Sequence, residues 1–336
     1  MIRCNILGFT GNEADTRYGD YTHITDGKND LIIDGYMSIG ATRVISRLKS
    51  IGVKEPYLAI SHTHDDHTKG IRMIINDGYF KPKALYCQDP ATLSGGLSNS
   101  EIRDDVNTLN TIINEAKRRY IPVIFIDNGD RIQIGEINIE VYREQPAYKG
   151  ASADPHGWIF MNDGSLVFYF PDLLYLTSGD GSDKIGNLCR QYGLHPVFFK
   201  IPHHGNACDA SQAKIMKDLG AKFSWDNDTS GSYTTFLSTG RKRCIEAGMK
   251  WFSCIGDINF VSFDGKVVIY KGSNHFSYSA PYKGKNTLKY ASLAAVKNVL
   301  KGSYGNGDTR ITRLLDAGFS PTSVQNNVNE ILKLLH

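Results

Sequence analysis

Ser61-His62-Thr63-His64-Asp65-Asp66-His67-Thr68-Lys69-Gly70 is the most informative stretch of this chain. Three histidines and two aspartates fall within positions 62–67, directly after the apolar run Tyr57-Leu58-Ala59-Ile60. Imidazole and carboxylate together suit zinc or a similar divalent ion, and at neutral pH both are ready to bind one. The stretch therefore predicts a transition-metal site at the end of a buried strand.

The spacing of these residues predicts how they approach the metal. In an extended segment alternate side chains point the same way, so His62 and His64 can converge on one ion. The apolar spacing of Lys69 to Ile75 predicts that the chain then turns into a helix, which brings Asp66 and His67 to the pocket from another direction. These two residues are expected to serve a second ion. A polar loop whose histidines only form hydrogen bonds is the alternative.

Three other apolar segments end in residues that suit the same site. They are Leu31-Ile32-Ile33-Asp34-Gly35, Leu173-Leu174-Tyr175-Leu176-Thr177-Ser178-Gly179-Asp180 and Val197-Phe198-Phe199-Lys200-Ile201-Pro202-His203-His204-Gly205. Spacing alone leaves open which of His203 and His204 binds a metal, because either order satisfies a strand end. An Asp-Gly pair is also an ordinary turn signal, so the alternative interpretation of Asp34 is a simple turn residue.

The His-x-His-x-Asp-His string resembles the signature of the metallo-β-lactamase superfamily, over residues 1–270. The resemblance implies an α/β fold, an αββα sandwich of two facing sheets flanked by helices, with the metal site at one edge. It also implies that Asp180 bridges two ions and that Asp34 orients a ligand. With His203 assigned as the last ligand, the expected set is His62, His64, Asp66, His67, Asp180 and His203. The expected cofactors are two divalent ions, zinc first and manganese as the alternative.

Within the superfamily the chain resembles the metallo-β-lactamase-like domain of the bacterial DNA-uptake channel. Lys200 before Pro-His-His-Gly and Asn162 before a Ser-apolar strand carry this resemblance. Many members place a further histidine where Asn162 stands, so Asn162 is expected beside the ligands, and His156 is a possible ligand that turn chemistry explains better. The branch's His-Pro pair is missing from residues 225–233, which weakens the transfer of nuclease activity.

The implied chemistry is hydrolysis by a metal-bound hydroxide. A divalent ion lowers the pKa of bound water to near neutrality and polarises a carbonyl or phosphoryl oxygen. Asp66 is expected to accept the proton of the nucleophile while it ligates. His204 is expected to protonate the leaving group.

Composition is consistent with a large enzyme body. The chain has 336 residues with 41% hydrophobic content, enough for one α/β domain plus an addition. It contains no apolar run of roughly eighteen residues and no basic start followed by an apolar core. Neither a signal peptide nor a membrane partner is therefore expected, and synthesis is expected in the cytoplasm. Six scattered cysteines favour reduced thiols over a disulfide framework or a cysteine zinc site.

The end of the chain has a different character. Residues 271–286, rich in glycine, serine, tyrosine and lysine, are expected to be a linker, and residues 287–336 a unit of three short helices. This unit resembles the cell-wall-binding repeat that ends certain phage lysozymes, most specifically in its Gly-Asn-Gly turn followed by arginine. The resemblance implies binding of peptidoglycan or a muropeptide, with Asn306 and Arg310 as ligand contacts. An ordinary turn and a solvated helix face are the alternative.

Charge separates the two parts of the chain. Residues 271–336 carry nine basic and three acidic side chains, a net charge of +6, while residues 1–270 sum to −3. A basic tail fits attraction to an anionic wall, and a slightly acidic body is unlike a protein that wraps a polyanion.

The leading hypothesis is a phage-encoded, endolysin-like hydrolase directed to the bacterial cell wall and released to it by lysis. It would cut a phosphodiester, ester or amide bond in a small or polymeric anionic substrate. The first alternative is a phosphodiesterase or nuclease that acts on nucleic acid or on (cyclic) nucleotides. The second is a non-catalytic wall-binding protein.

Overall fold

The fold is described from a computed structural model, which divides into two compact units, Met1–Ala280 and Pro281–His336. The residues described are 2–7, 19–144, 148–181, 184–227, 238–253, 257–263, 266–271, 274–279, 298–306, 310, 314, 324–325 and 328–329.

Strands and helices alternate along the first unit. Its strands over the described ranges are β1 (Arg3–Ile6), β2 (Thr22–Thr25), β3 (Asp30–Ile33), β4 (Tyr57–Ala59), β5 (Ala84–Cys87), β6 (Val123–Phe125), β7 (Arg131–Ile134), β8 (Ile137–Tyr142), β9 (Val167–Phe170), β10 (Tyr175–Thr177), β11 (Phe198–Lys200), β12 (Phe223–Asp226), β13 (Lys250–Ser253), β14 (Ile258–Phe263), β15 (Lys266–Lys271) and β16 (Asn274–Ser279). Its α-helices are α1 (Ser38–Ser50), α2 (Asp65–Asn76), α3 (Ser100–Arg118), α4 (Trp158–Asp163), α5 (Ile185–Tyr192), α6 (Ala210–Asp218) and α7 (Ser238–Glu246). Pro90–Gly96 and His203–Gly205 form short 3₁₀ helices.

The strands form two sheets. The nine-stranded sheet has the order β16-β15-β14-β1-β2-β3-β4-β5-β6, and the seven-stranded sheet has the order β13-β12-β11-β10-β9-β8-β7. Strands β3 to β6 run parallel to one another, and so do strands β10 to β13. Carboxyl ends of neighbouring parallel strands meet at one edge of a sheet, where α/β proteins usually place their sites.

Alternating side chains show how the layers pack. In β9, Phe168 and Phe170 belong to a core that includes residues of both sheets, whereas Val167 and Tyr169 belong to a core shared with α5 and α6. Successive strand residues face opposite sides of a sheet, so the second sheet packs against the first on one side and against helices on the other. Helices α1 to α3 cover the outer side of the first sheet. The αββα sandwich expected from the sequence is confirmed.

The segment expected to be a linker is in part a strand. β16 lies inside residues 271–286 and pairs antiparallel with β15, so the first unit extends past residue 270. Phe276 and Tyr278 alternate with smaller polar residues and pack against the central core, with Phe276 edge-to-face against Phe252 at 5.3 Å between ring centroids. The linker expectation is therefore wrong for β16, whose short period-two alternation indicates a strand although the segment is rich in glycine and serine. Residues 280–286 lie outside the described residues.

The second unit has a small apolar core. Val299, Leu314, Val324 and Val328 pack together, with Tyr304 against them. The three helices expected over residues 287–336 fall largely outside the described residues.

Within the described ranges, none of the helices combines the length and apolar character that crossing a bilayer requires.

Candidate metal centre

Residues from both sheets converge at the edge where the parallel strands end. Asp34 follows β3, the His62–His67 stretch follows β4, Asp180 follows β10, the His203-His204 pair follows β11, and Asn227 follows β12. Helix α2 begins four residues before the predicted Lys69, with His64 at its N-cap, so Asp66 and His67 lie in its first turn. The extended backbone and the helix start thus bring His62, His64, Asp66 and His67 into one pocket.

Four donor groups form the tighter of two clusters. His67 Nε2 lies 3.6 Å from Asp66 Oδ2 and 3.2 Å from Asp180 Oδ1. His204 Nε2 lies 3.0 Å from Asp66 Oδ2 and 3.3 Å from Asp180 Oδ2. A tetrahedral ion with bonds of about 2.0–2.1 Å holds its ligand atoms roughly 3.3 Å apart, so these four groups have the spacing of one coordination shell.

Three donor groups form the second cluster. His62 Nε2 lies 3.0 Å from His64 Nδ1 and 3.9 Å from Asp180 Oδ2. Asp180 belongs to both clusters and presents two oxygens, which is the arrangement a bridging carboxylate needs. With three protein groups, this cluster resembles a catalytic zinc site that keeps one position for water or substrate.

Buried polar atoms without partners support this reading of the clusters. His67 Nε2 and Asp180 Oδ1 are buried, and neither has a hydrogen-bond partner in the described part of the chain. Leaving such atoms unpaired costs roughly 1–3 kcal/mol each, so a buried site normally supplies a partner. A divalent cation between the donors supplies it, and the donor set suits divalent metal binding.

The histidine pair after β11 differs from expectation. His204, assigned from the sequence as a proton donor, is buried within the four-group cluster. His203, assigned as the ligand, has a side chain 36% exposed at the rim, with Nε2 4.0 Å from Asp180 Oδ2. Both residues have positive φ, 51° and 53°, and this sharp turn points His204 inward. The geometry favours His204 over His203 as the ligand.

Hydrogen bonds behind the clusters orient two of the imidazoles. His67 Nδ1–H donates to Asp34 Oδ2 at 2.8 Å, and Asp34 also accepts from the Ser61 N–H and hydroxyl at 2.8 and 2.7 Å. His204 Nδ1–H donates to Asn227 Oδ1 at 2.9 Å. Each bond fixes the tautomer that leaves Nε2 free for a metal. Asp34 contacts the ligand stretch as expected, and Asn227 carried no signal in the sequence.

The charges of the site favour added positive charge. Burial lowers the pKa of His67, but the surrounding carboxylates, Asp66 first, raise it well above its usual value. Burial also lowers the pKa of His204, but Asp180 and Asp66 raise it to about 10. Burial holds the pKa of His62 well below its usual value. The buried carboxylates therefore attract a cation, whether protons on two imidazoles or a divalent ion.

A buried ion pair flanks the clusters. Lys200 Nζ lies 2.5 Å from Asp20 Oδ2 and 3.7 Å from Asp180 Oδ1, and it donates to the Gly179 carbonyl at 2.6 Å. Lys200 and Asp20 are almost completely buried. The lone lysine in the apolar run Phe198-Phe199-Lys200-Ile201 was a signal for such a pair, whereas no pattern around Asp20 pointed to it.

A further carboxylate faces the outer nitrogen of His64. Asp105 Oδ2, on α3, lies 3.7 Å from His64 Nε2. Burial, followed by the nearby carboxylates, raises the pKa of Asp105 to about 7. In the sequence, Asp105 lies in a stretch whose apolar spacing predicts a helix, and nothing in that stretch indicates a functional role for it.

Two other candidates lie outside the clusters. Asn162 is largely buried, and its Oδ1 has no hydrogen-bond partner within the described ranges. His156 is exposed, bonds Glu101 at 2.7 Å, and stacks on Trp158, which agrees with its interpretation as a loop residue.

The predicted wall contacts lie together in the second unit. The Arg310 guanidinium donates to the Gly305 carbonyl, to Gln325 Oε1 and to Asn306 Oδ1 at 2.8–2.9 Å. Arg310 thus links the Gly302–Asn306 turn to the segment around Gln325. Its role as a ligand contact stays a prediction.

Several solved structures share a similar arrangement of strands and helices, among them metallo-β-lactamase fold proteins and a metallo hydrolase. The metallo-β-lactamase fold protein YhfI from Bacillus subtilis is 10% identical, with 82% of this chain and 99% of that chain covered and a TM-score of 0.47. Igni18, a metallo hydrolase from the archaeon Ignicoccus hospitalis, is 11% identical, with 83% and 99% covered and a TM-score of 0.42. A diphosphatase from the PhnP family is 13% identical, with 75% and 95% covered and a TM-score of 0.42. These likenesses concern the fold and assign no activity to this chain.

Sequence comparisons bear on the tail. No curated protein sequence matches the chain. Residues 294–332 match the family model described as the CW_7 repeat.

Proposed function

We propose that this protein is a metal-dependent hydrolase directed to the bacterial cell wall, with two divalent ions, zinc in the first place, at the edge of the sandwich. One observation carries the proposal: the described donor atoms of Asp66, His67, Asp180 and His204 have the spacing of a single coordination shell. The CW_7 match at residues 294–332 supports the choice of substrate.

In this proposal His62, His64 and Asp180 hold one ion, and Asp66, His67, Asp180 and His204 hold the other. Divalent ions held by these residues would supply a lowered pKa of bound water and polarisation of the scissile carbonyl or phosphoryl oxygen. Asp66 would accept a proton from the attacking water, because its carboxylate lies inside the pocket; its pKa, held low chiefly by His67 against the effect of burial, keeps it ionised.

His203 takes over the role first expected of His204. Its side chain is partly exposed at the rim, where it can reach a leaving group, and it is not tied into the four-group cluster. Burial lowers its pKa, so the ring readily releases a proton once it carries one. Asp34 and Asn227 hold the ligands His67 and His204 in place.

The proposed setting is a phage-encoded, endolysin-like enzyme, made in the cytoplasm and reaching the wall on lysis. The second unit would anchor it to peptidoglycan through Asn306 and Arg310. Its basic charge supports attraction to an anionic wall.

Hydrolysis of purified walls tests the proposal. The zinc-loaded full chain is expected to solubilise walls, and a chelator or His62→Ala is expected to abolish this. New amino groups would indicate an amide bond, new phosphate ends a phosphodiester, and new carboxylates without amines an ester. Sedimentation of the Arg310→Ala full chain with walls tests the anchor, with Lys301→Ala as control because Lys301 is exposed.

A phosphodiesterase of nucleic acid or nucleotides is the second candidate, supported by the Lys200-Ile201-Pro202-His203-His204 motif. Intact walls together with cleavage of an oligonucleotide or bis-p-nitrophenyl phosphate would favour it. Walls bound but never cut, with no other substrate hydrolysed, would leave a non-catalytic wall-binding protein.

A further inference from the structure

Two large apolar side chains lie exposed at the start of α4. Trp158 is 56% exposed and Ile159 is 52% exposed. The imidazole of His156 stacks on the Trp158 indole, with ring centroids 4.6 Å apart and an interplanar angle of 23°. Adjacent exposed apolar side chains, with one aromatic ring stacked on a second, form a candidate binding surface.

This aromatic pair lies on a protein surface that leads to the metal centre. His156 Nδ1 lies 2.7 Å from Glu101 Oε1, in the first turn of α3. One helical turn further along the same face is Asp105, whose carboxylate lies 3.7 Å from the ligand candidate His64. Phe160 and Met161 pack with Ile102 and Val106, which fixes α4 against α3.

This protein surface is acidic. Glu101, Asp104 and Asp105 lie on α3, and Asp65 stands at the start of α2. The charges of Asp65, Glu101 and Asp104 all act on Asp105, so the four carboxylates lie near one another. Lys69 pairs with Asp65 at 2.7 Å, and the exposed Arg103 guanidinium donates to the Leu97 carbonyl, so the four carboxylates outnumber these two cations. A polyanion needs cations along its path, so this acidic surface disfavours phosphate-rich chains.

We propose that Trp158 and His156 form a saccharide subsite that guides an uncharged amino-sugar strand of the wall glycan into the metal centre. One face of a sugar ring carries C–H bonds whose partial positive charge suits the negative face of an indole. Sugar hydroxyl and amide N–H groups donate, and the carboxylates of Glu101 and Asp105 accept. The inference rests on the proposed function, because it names the substrate class of the same site.

A nucleic acid is the competing occupant. Bases also stack on exposed tryptophan, so the aromatic pair alone does not distinguish the two polymers. The two polymers differ in charge. Phosphates would approach the carboxylates of Glu101 and Asp104, whereas an uncharged glycan meets no such repulsion. The acidic protein surface therefore favours the glycan.

Tryptophan fluorescence tests this directly. The chain has three tryptophans, all in the first unit; Trp225 is fully buried and Trp251 packs under Arg241 at 4.3 Å, which leaves Trp158 as the exposed reporter. The full chain in chelator is titrated with an N-acetylglucosamine tetramer and, separately, with a thymidine tetranucleotide. A saturable change is expected with the sugar and at least a tenfold weaker response with the nucleotide.

Calorimetry on variants completes the test. Trp158→Ala is expected to weaken binding of the sugar tetramer at least tenfold, and Phe125→Ala, which removes a 46% exposed ring from β6, is expected to leave it unchanged. Tighter binding of the nucleotide, no saturable sugar response, or equal affinity in both variants would overturn the inference. Hydrolysis of cell walls by the zinc-loaded protein tests the proposed function separately. Hydrolysis can be absent although the sugar binds, and it can occur although the sugar does not bind.

Discussion

His204 Nε2 lies 3.0 Å from Asp66 Oδ2, although the two residues follow strands of different sheets, β11 and β4. Asp66 is carried by α2 after β4, and His204 follows β11, so the pair is assembled only when the two halves of the sandwich close on each other. The ligand set is thus also a contact between the halves of the fold.

This pair predicts the effect of removing each histidine of the His203-His204 turn. His204→Ala is expected to weaken binding of one ion by more than about 100-fold, because the cost of losing a direct ligand exceeds that of losing an outer partner. His203→Ala is the matched control and should retain both ions. Elemental analysis after dialysis checks this, and loss of an ion from His203→Ala alone would restore the original assignment.

Asp34 supports His67 from behind. Asp34→Ala is expected to lower metal affinity by roughly 10–100-fold. It should also cost roughly 1–3 kcal/mol in the free energy of unfolding, since the buried Ser61 N–H loses its acceptor. Asp34→Asn keeps an acceptor and tolerates the positive φ of 57°, so it should lose less metal affinity and less free energy of unfolding than Asp34→Ala. Chelator competition and urea unfolding measure the two quantities; unchanged metal affinity in Asp34→Ala would contradict the supporting role.

Gly70 is where α2 approaches the loop after β3 most closely. A Cβ there would lie 1.8 Å from the Gly35 carbonyl oxygen, which is backbone and cannot rotate away. Gly70→Ala is therefore expected to cost about 3 kcal/mol in the free energy of unfolding. Gly78→Ala, with nothing within 4 Å, should change it by less than about 0.5 kcal/mol. Equal unfolding midpoints for the two variants would contradict the close approach.

Asp26 predicts a pH dependence of stability. Burial raises its pKa, but hydrogen bonds from the Glu136 N–H, from the side chain and N–H of Asn29, and from the Lys28 N–H lower it to about 2. A lowered folded-state pKa gives stability that is present above the unfolded value of 3.8 and is lost as the pH falls towards 2.

Asp26→Asn isolates this effect. Its difference from the unsubstituted chain in the free energy of unfolding should be largest near neutral pH, at about 1 kcal/mol after allowance for solvent screening. The difference should shrink between pH 4 and pH 2, as measured by urea unfolding across that range. A difference that stays constant down to pH 2 would show that these hydrogen bonds do not distinguish the charged carboxylate.

Much of the fold followed from local patterns. Apolar runs that end in polar residues predicted the strands before Asp34, Asp180 and His203, and helical spacing predicted α2. These patterns are local because burial imposes a period of 2 on half-buried strands and of 3.6 on helices. The strand β16 was missed because its alternation was short and its composition suited a linker.

Parts of the site had no local signal. Asp20, which meets Lys200 in a buried pair from 180 residues away in sequence, had none, and neither had Asn227, which reaches His204 from a neighbouring strand. Asp105 sits on a helix face that the sequence pattern explained fully as amphipathic. Pairings of this kind depend on which strands become neighbours, and residue spacing does not encode that.

By itself, the sequence determined the kinds of ligand and where each stands, because imidazole and carboxylate at the ends of buried strands are fixed by composition and by short-range periodicity. Only the tertiary structure decided which histidine of the pair after β11 turns inward, because that depends on two consecutive positive φ angles. It also decided which side chains support the ligands, since these come from strands and helices far apart in the chain. Short-range order is set by the residues themselves, whereas distances across the sandwich exist only once both sheets have packed.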